Sequence, residues 1–356
     1  MNNHFQPSAK PYLITKSLHP ENQESPISFL DSDTTSSRLF YRRNHFSYPA
    51  LSYSSYWLPV SGHVKKPLFF SLQQLTQLPS KQVKVVLECS GNKRSFFEPK
   101  VFGEQWEKGA VSQGLWKGVP LRNVLELAGI KESAFEVVVE GFDYGERKDT
   151  DQLVSYTRSL PLEKALHPDT IIAYEFNGKP IPFKHGFPLR LIVPQWYAMA
   201  SVKWIKQIIV TDSPFTGPFQ TIDYVYYPYK ESNKEAVPVT TIHVNSTIQQ
   251  PLDRDILQTG THTIRGIAWT GQGHILKVEI STDNGGSWYD ANIETLDPNG
   301  YPWTTWYYHW RAEKKGEYTI MSRATDSDNR VQPKKPFWNR KGYGYHAIDK
   351  IMVKIE

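Results

Sequence analysis

Cys89 is the only cysteine among 356 residues, and it is the side chain with the clearest chemical potential. The residues before it, 83–88, alternate between two faces, a pattern that predicts a half-buried strand ending at the sulfur. Lys93 and Arg94 follow within one predicted loop, and cations beside a thiol favour its thiolate form. A thiolate can act as a nucleophile or as a soft metal ligand. The alternative is a buried cysteine that behaves as a small apolar residue.

Two further groups of side chains combine cations with hydrogen-bonding groups. The first is a short run that begins in aromatic sequence: Tyr41, Arg42, Arg43, Asn44 and His45. The second is spread over consecutive predicted turns and strand ends: His185, Arg190 and Lys203. Such positions are where proteins often bind phosphate groups. Taken alone, the first group is equally typical of a solvated loop, and each member of the second group is more often a surface charge.

The elements that must position these residues are predicted to be mainly strands. Aromatic residues make up 13% of the chain and prolines number 25, which favours strands and loops over long helices. Local signals predict a capped short helix after Ser71, a second helix from Pro120 to Gly129, and a hairpin at Asn177-Gly178.

Two segments of the first half are less regular. A β-branched strand is predicted at 135–140, and Asp143 is expected just beyond it in a loop. Residues 150–157 are too polar to assign to an element.

At 356 residues the chain is long for one core, so two domains are expected. Residues 1–38, rich in Pro, Ser, Asn and Asp, predict an extended arm that wraps a domain. The first domain is then predicted at 39–232 and the second at 233–356. Short strands roughly ten residues apart in the second domain predict an all-β sandwich of immunoglobulin type.

Composition and motifs exclude several classes of function. The net charge of +5 is scattered, so no nucleic-acid partner is expected, and no apolar run is long enough for a membrane span. The first residues carry neither an apolar leader nor twin arginines, which predicts a cytoplasmic location. Phosphate-loop, dinucleotide-binding, HExxH and CxxC motifs are absent, so nucleotide hydrolysis, a Rossmann cofactor and common zinc sites have no support.

Over residues 38–356 the chain resembles the sulfite oxidase family of molybdenum cofactor enzymes. The matching segments are RNH at 43–45, CSGNKRS at 89–95, Trp106 with Gly109-Ala110, LWKG at 115–118, HGFPLR at 185–190, SVKW at 201–204 and WN at 338–339. Their shared order makes the resemblance specific. It implies an α+β molybdopterin-binding domain of sulfite oxidase type, followed by an immunoglobulin-like domain through which such proteins form homodimers.

The resemblance also implies roles for individual residues. Cys89 would be the protein's thiolate ligand to the molybdenum of a Mo-molybdopterin cofactor. The phosphate of that cofactor would be held by His185, Arg190 and Lys203. The hydrogen-bonding wall around the pterin would consist of Tyr41, Arg42, Arg43, Asn44, His45, Asp143, Ser201 and Val202. The substrate pocket would contain Arg43, Arg94, Trp106 and Tyr224.

A third cation of the substrate pocket departs from the family pattern. The family's arginine before a glycine is Lys341 here, and Arg340 stands one residue earlier. Without the resemblance, the loop around these two residues would be expected to form only a rim. Lysine lacks the planar fork with which arginine binds an oxyanion.

Three hypotheses about function follow. The first is molybdenum-dependent oxidation of a small oxyanion, sulfite, to sulfate, with electrons passed to an external acceptor such as a cytochrome, because no haem module is visible. The second, implied by Lys341, is the reduction of nitrate or of an S- or N-oxide on the same cofactor. The third is a metal-free interaction protein whose sandwich domain binds a partner.

Overall fold

The computed structural model describes residues 11–30, 33–51, 56–147, 151–294 and 300–356. They form a short N-terminal hairpin, a first domain with one mixed and one antiparallel sheet, and a second domain built as a sandwich of two sheets. The predicted fold class, an α+β domain followed by an all-β sandwich, is confirmed. Among the described residues, no helix has the length and apolar character needed to cross a bilayer.

The elements follow in chain order. The N-terminal hairpin consists of β1 (Ile14–Leu18) and β2 (Glu21–Glu24). The first domain contains β3 (Trp57–Gly62), β4 (Leu68–Ser71), α1 (Leu72–Gln77), β5 (Lys81–Glu88), β6 (Val111–Pro120), α2 (Leu121–Ala128), β7 (Glu136–Arg147), β8 (Gln152–Pro161), α3 (Leu162–Ala165), β9 (Ile171–Phe176), β10 (Lys179–Pro180), β11 (Arg190–Ile192) and β12 (Ile205–Thr211). The connection and the second domain contain β13 (Val225–Tyr226), β14 (Val237–Pro238), β15 (Asn245–Gln250), β16 (Ile256–Leu257), β17 (Gly260–Trp269), β18 (Ile275–Ser281), β19 (Tyr289–Asp290), β20 (Asn292–Glu294), β21 (Thr304–Ala312), β22 (Gly316–Asp326) and β23 (Asp349–Ile355).

Two five-stranded sheets form the frame of the first domain. One has the order β4-β3-β12-β7-β8, in which β3 and β12 are parallel. The other has the order β10-β9-β6-β5, and β11 also pairs with β9. Fully buried side chains such as Leu121, Val139 and Leu191 fill the core of this domain. The strand ends that carry Cys89 and Arg190 therefore belong to one sheet.

The local signals read from neighbouring residues are confirmed. The Ser71 hydroxyl accepts a hydrogen bond from the Gln74 amide, and the Gln74 side chain accepts one from the Ser71 amide, which is a capping box. Helix α2 ends at Gly129 with a φ of 69°, in the left-handed region that glycine tolerates. Asn177 and Gly178 also have positive φ values and connect β9 to β10.

Two assignments differ from the sequence prediction. Asp143 does not lie in a loop, because β7 continues to Arg147 and its pairing with β8 is irregular between Glu140 and Tyr144. The irregularity changes which face of the sheet the following side chains are on. The alternation in the sequence is therefore interrupted after residue 140, although the strand continues. From Gln152 onward the unassigned polar segment belongs to β8, which also buries Arg158, and residue 150 lies outside the described residues.

The N-terminal arm is more ordered than an extended segment. Its hairpin, β1–β2, packs on the first domain, where Asn22 and Glu24 are buried. The Ser25 amide donates to the Gly109 carbonyl at 2.9 Å, and a Cβ on Gly109 would lie 1.9 Å from the Ser25 carbonyl oxygen. Polar contacts therefore hold the hairpin, while Leu30 anchors the later part of the arm in the apolar core of the first domain. Residues 1–10, 31 and 32 of the predicted arm lie outside the described residues.

The second domain joins the first without a gap in the apolar core. Its two sheets have the orders β15-β17-β21-β20 and β16-β23-β22-β18-β19. Ile267, Trp269 and Trp303 of this domain are buried in the core cluster of the first domain. The two domains therefore present residues to a common site. The exact boundary at 232/233 stays a prediction.

Candidate active site

Two adjoining cavities in the first domain share the residues Cys89, Ser90, Arg43 and Tyr224. The first has an open volume of about 610 Å³ and includes the candidate phosphate and pterin residues. The second, of about 650 Å³, is lined from the first domain by Arg94 and from the second by Lys341 and Tyr343. The cysteine therefore lies where the two cavities meet, with cations on both sides. A side chain at this junction can contact a group bound in either cavity.

Cys89 is held at the end of β5 by its backbone. Its amide donates to the Ala110 carbonyl at 2.9 Å, and its carbonyl accepts from the Asn92 amide at 2.8 Å. The side chain is 7% exposed, so the sulfur faces the cavities and not bulk solvent. Burial raises the pKa of the Cys89 thiol, while Arg43 and Arg94 act against that rise. The thiolate is thus favoured by two arginines but needs a further partner, such as a soft metal, to predominate.

Lys93 does not assist the thiol, which corrects the sequence prediction. Its backbone has a φ of 62°, and its side chain turns away into the second domain. The ammonium donates to the Asn245 side-chain oxygen and the Ser246 carbonyl, both at 2.8 Å, and lies 3.7 Å from Asp349. Lys93 therefore connects the two domains.

Arg43 and Lys203 line the first cavity, whereas Asn44 lies behind them and lines neither cavity. The Lys203 ammonium donates to the Arg43 carbonyl at 3.0 Å and to the Asn44 side-chain oxygen. Burial lowers the pKa of Lys203 well below its ordinary value, and Asp143 acts against that shift. Burial in turn raises the pKa of Asp143, which Lys203 opposes. The structure thus brings these predicted residues together.

The other two candidate phosphate ligands, His185 and Arg190, line the same cavity. Burial lowers the pKa of His185 to about 3, although its Nε2 lies 2.8 Å from the Ser37 carbonyl, which favours the protonated ring. The Arg190 guanidinium donates to the carbonyls of His185 and Ser201 at 3.2 and 3.3 Å and lies over the Trp116 ring. Burial lowers the pKa of Arg190 to about 10, so the guanidinium stays charged at neutral pH.

The remaining members of the predicted pterin wall take different positions. Tyr41, Arg42, His45 and Ser201 line the first cavity. Val202 does not line it: the Val202 amide donates to the Ala200 carbonyl, and the Val202 carbonyl accepts from the Leu191 amide, so its backbone groups are already paired.

Tyr224 is held by a neutral imidazole. Its hydroxyl lies 3.0 Å from His45 Nε2, and the His45 ring stacks on Tyr156 with a centroid distance of 4.9 Å. Burial, then Arg43 and Lys203, hold the pKa of His45 well below its ordinary value. The neutral ring therefore fixes the phenol without adding a charge to the site.

Arg94 is fixed by backbone oxygens from both domains. Its Nε donates to the carbonyls of Lys341 and Gly342, each at 3.2 Å, and one terminal nitrogen donates to the Glu104 carbonyl at 3.0 Å. Its guanidinium also lies over the ring of Tyr343, with 5.1 Å to the centroid. The segment expected to form only a rim therefore reaches the first domain.

The structure separates the two candidates for the third cation. Lys341 lines the second cavity, and its ammonium lies 3.5 Å from a carboxylate oxygen of Asp223. Arg340 points elsewhere: it donates to Asn233 at 2.7 Å and lies over the Tyr227 ring. Trp106 is fully buried and does not line either cavity, so it supports the site from behind.

Several lining residues were not found from the sequence. They are Ser90, Tyr156, Lys184, Met199, Glu104 and Tyr343. Tyr156 lies in the segment that was too polar to assign. A strand prediction for that segment would have shown which face of the sheet the Tyr156 side chain is on. Tyr343 lies two residues after Lys341 in the same loop. Its closeness to that candidate cation was the one sequence signal that could have indicated it.

Both domains match known family models. Residues 45–219 match the oxidoreductase molybdopterin binding domain, and residues 236–355 match the Mo-co oxidoreductase dimerisation domain. The two matches include most residues that line the two cavities, although Tyr41, Arg42, Arg43 and Tyr224 lie outside the matched ranges.

Three curated relatives and one solved structure extend the comparison. Mitochondrial sulfite oxidase of Rattus norvegicus is 32% identical over 370 residues, which cover 98% of this chain and 67% of the relative. Sulfite oxidase of Gallus gallus is 33% identical, covering 94% and 76%. NADH nitrate reductase of Solanum lycopersicum is 32% identical, covering 95% of this chain but 40% of that protein. The sulfane dehydrogenase SoxCD of Paracoccus pantotrophus has the same fold, with a TM-score of 0.81 at 24% identity over 100% of this chain and 95% of that chain.

Proposed function

The chain belongs to the sulfite oxidase family of molybdenum cofactor-dependent oxidoreductases, and we propose that it oxidises sulfite to sulfate. The observation that carries this proposal is the junction of the two cavities at Cys89. One cavity suits the cofactor and the other suits a small oxyanion. Arg43 and Tyr224 line both of them.

The first cavity fits a phosphorylated pterin in charge and in hydrogen-bonding capacity. One carboxylate, Asp143, lines it together with five cations: Arg42, Arg43, Lys184, Arg190 and Lys203. Arg42 and Lys184 already pair with Glu21, so the charge of about −2 on a phosphate group would be compensated mainly by Arg43, Arg190 and Lys203. The buried oxygens Ser90 Oγ and Asp143 Oδ1 have no hydrogen-bond partner within the described part of the chain. Buried polar atoms are normally paired, so a bound group is expected there.

Each residue then has a part in holding the cofactor. Cys89 would ligate molybdenum through its thiolate, and His185, Arg190 and Lys203 would hold the phosphate. When bound, the molybdenum cofactor supplies oxygen-atom transfer and two-electron redox chemistry.

The second cavity supplies the contacts for sulfite. Arg43, Arg94 and Lys341 provide three positive charges, and the Tyr224 phenol provides a hydrogen-bond donor, because burial raises its pKa well above the ordinary value. Charge-assisted hydrogen bonds hold the anion beside the sulfur and limit its rotation. As sulfite becomes sulfate, the same cations keep the product's charge paired until it leaves.

The partners of the reaction complete the proposal. We infer that electrons pass to an external acceptor such as a cytochrome, and that two copies form a homodimer through the second domain, which matches the dimerisation family model. A cytoplasmic location stays a prediction.

Lysine at 341 supports a rival substrate. Its ammonium lies near Asp223, which also pairs with Arg147, so the positive charge offered to a substrate is partly compensated. A monoanion such as nitrate, or a neutral oxide, needs less charge than the sulfite dianion. The relatives include a nitrate reductase, which supports the same alternative.

Paired assays test the two proposals directly. Protein from a molybdate-fed host that makes the cofactor is analysed for molybdenum, then for sulfite-dependent ferricyanide reduction and for dye-driven nitrate or oxide reduction. We expect close to one molybdenum per chain and faster turnover with sulfite. Turnover confined to the reductive assay would replace sulfite with the rival substrate. Less than about a tenth of a molybdenum per chain would instead support the metal-free interaction protein, because a cofactor bound by charge-assisted contacts should remain loaded.

Replacing Arg94 with glutamine is expected to raise the KM for sulfite by about 10- to 150-fold, because one charge-assisted hydrogen bond contributes roughly 1.5–3 kcal/mol. Steady-state kinetics at fixed ionic strength measures this change. Arg340→Gln is the matched control, since that guanidinium faces Tyr227 and Asn233. An equal rise of KM in both variants would mean that Arg94 acts only through the surface potential.

A further inference from the structure

We propose that Asn22, on the N-terminal hairpin β1–β2, is a positioning residue for both arginines of the anion pocket. The hairpin precedes the segment matched by the molybdopterin domain model, which begins at residue 45. The proposal rests on the proposed function, because it concerns the arginines that would hold sulfite. It assigns to the arm a part in substrate binding.

Asn22 is fully buried beside the loop that carries Arg43. Its side-chain oxygen accepts a hydrogen bond from the Asn44 amide at 2.7 Å and lies 3.5 Å from a terminal nitrogen of Arg43. The Asn44 side chain returns a hydrogen bond to the Glu21 carbonyl at 2.6 Å. The backbone just after Arg43 is therefore clamped to the hairpin from two sides.

The other end of the Asn22 amide faces the loop that holds Arg94. Its nitrogen donates to a carboxylate oxygen of Glu104 at 3.2 Å and, within the hairpin, to the Ser17 hydroxyl at 3.0 Å and the Pro20 carbonyl at 3.3 Å. The carbonyl of the same Glu104 accepts from the Arg94 guanidinium at 3.0 Å. One buried amide thus contacts the two segments that carry the anion-binding arginines, directly for Arg43 and through Glu104 for Arg94.

The hairpin is itself fixed against the first domain, so it can act as a support. Gln23 and Arg42 exchange two backbone hydrogen bonds at 2.8 and 2.9 Å. Glu21 pairs with Arg42 at 2.9 Å and with Lys184 at 3.0 Å, two cations that line the first cavity. These contacts leave Asn22 little freedom, which is what a positioning residue requires.

A positioning role and a purely structural role predict different measurements. If Asn22 only stabilised the hairpin, its loss would lower the unfolding temperature and leave the anion affinity of the folded protein unchanged. If it positions Arg43 and Arg94, its loss weakens the binding of a tetrahedral anion and raises the KM for sulfite more than it lowers kcat.

The test uses purified holoenzyme of matched molybdenum content and titrates inorganic sulfate by calorimetry. For Asn22→Ala we expect sulfate affinity to fall about tenfold and the sulfite KM to rise by a similar factor. Misplaced arginines should weaken anion binding by about as much as the loss of one hydrogen bond. Thr15→Val is the control on the same hairpin. It removes the hydrogen bond from the Gln23 side chain at 3.0 Å and touches neither arginine loop.

Asn22→Ser is the second variant, used if the alanine variant does not fold. Serine is polar and uncharged, and it is too short to contact both the Asn44 amide and Glu104, so it loses at least one of these contacts without placing a carboxylate beside Glu104. We expect its sulfate affinity to fall by about the same factor as that of Asn22→Ala. Unchanged affinity in folded Asn22 variants would overturn the inference alone. Failure of the wild type to bind sulfate would overturn the proposed anion pocket, and the inference with it.

Discussion

Cys89→Ser is expected to lower sulfite turnover at least about a thousandfold while the chain stays folded, a loss of roughly 4 kcal/mol in transition-state stabilisation. Serine is nearly isosteric with cysteine, and the backbone bonds of residue 89 to Ala110 and Asn92 do not involve the sulfur. The change therefore removes a soft ligand and little else. Oxygen is a poor replacement for a thiolate where a soft donor is required.

The measurement separates the ligand from the rest of the cofactor site. Pterin content, read from fluorescence after oxidative release, should stay close to that of the wild type, because the cations that hold the phosphate are intact. The kcat for ferricyanide reduction should fall to background. Normal turnover in Cys89→Ser would contradict the prediction. Cys89 would then be only a small buried apolar residue, which is the alternative that the sequence left open.

The parts of the fold that the sequence predicts best are those encoded by adjacent residues. The capping box at Ser71, the left-handed Gly129 and the Asn177-Gly178 turn each depend on the chemistry of a few neighbouring positions. Such features do not depend on the second domain. The strand before Cys89 is found where it is predicted, but residues 85–88 of β5 are buried on both faces, so it is not the half-buried strand that the alternation predicts.

Side-chain direction at the site is set by contacts far along the chain, and the sequence does not predict it. Lys93 and Arg94 are neighbours, yet the first turns towards Asn245 and the second towards the cavity. Arg340 and Lys341 diverge in the same way. In each pair, a distant partner decides which cation reaches the anion pocket.

Other site residues carry no local signal because their role depends on burial. The strand β8 buries polar residues, so its alternation does not look like that of an apolar strand. Asn22 belongs to a segment whose composition predicts only an arm, although its amide is fully buried. Buried polar networks of this kind are specified by pairs of residues, and a single sequence does not show which pairs meet.

Lys203→Met is expected to leave the protein folded but largely without cofactor. The lysine is buried, and its ammonium donates to the Arg43 carbonyl at 3.0 Å and to the Asn44 side chain. Methionine has similar length and no charge, so one of the cations offered to the phosphate is lost. A charge-assisted contact of about 1.5–3 kcal/mol corresponds to roughly 10- to 150-fold in affinity. Molybdenum per chain and released pterin should therefore fall together after gel filtration.

Lys206→Met provides a control three residues later on the neighbouring strand β12. That ammonium pairs with Glu140 at 2.7 Å and has a side chain that is 43% exposed, so it lies outside both cavities. Its loss should not change the cofactor content. Equal loss in both variants would point to general destabilisation of β12, which circular dichroism at rising temperature would reveal. Burial lowers the pKa of Lys203, and a phosphate bound beside it would stabilise its protonated form. Full cofactor retention in Lys203→Met would therefore show that this lysine is not part of the phosphate site.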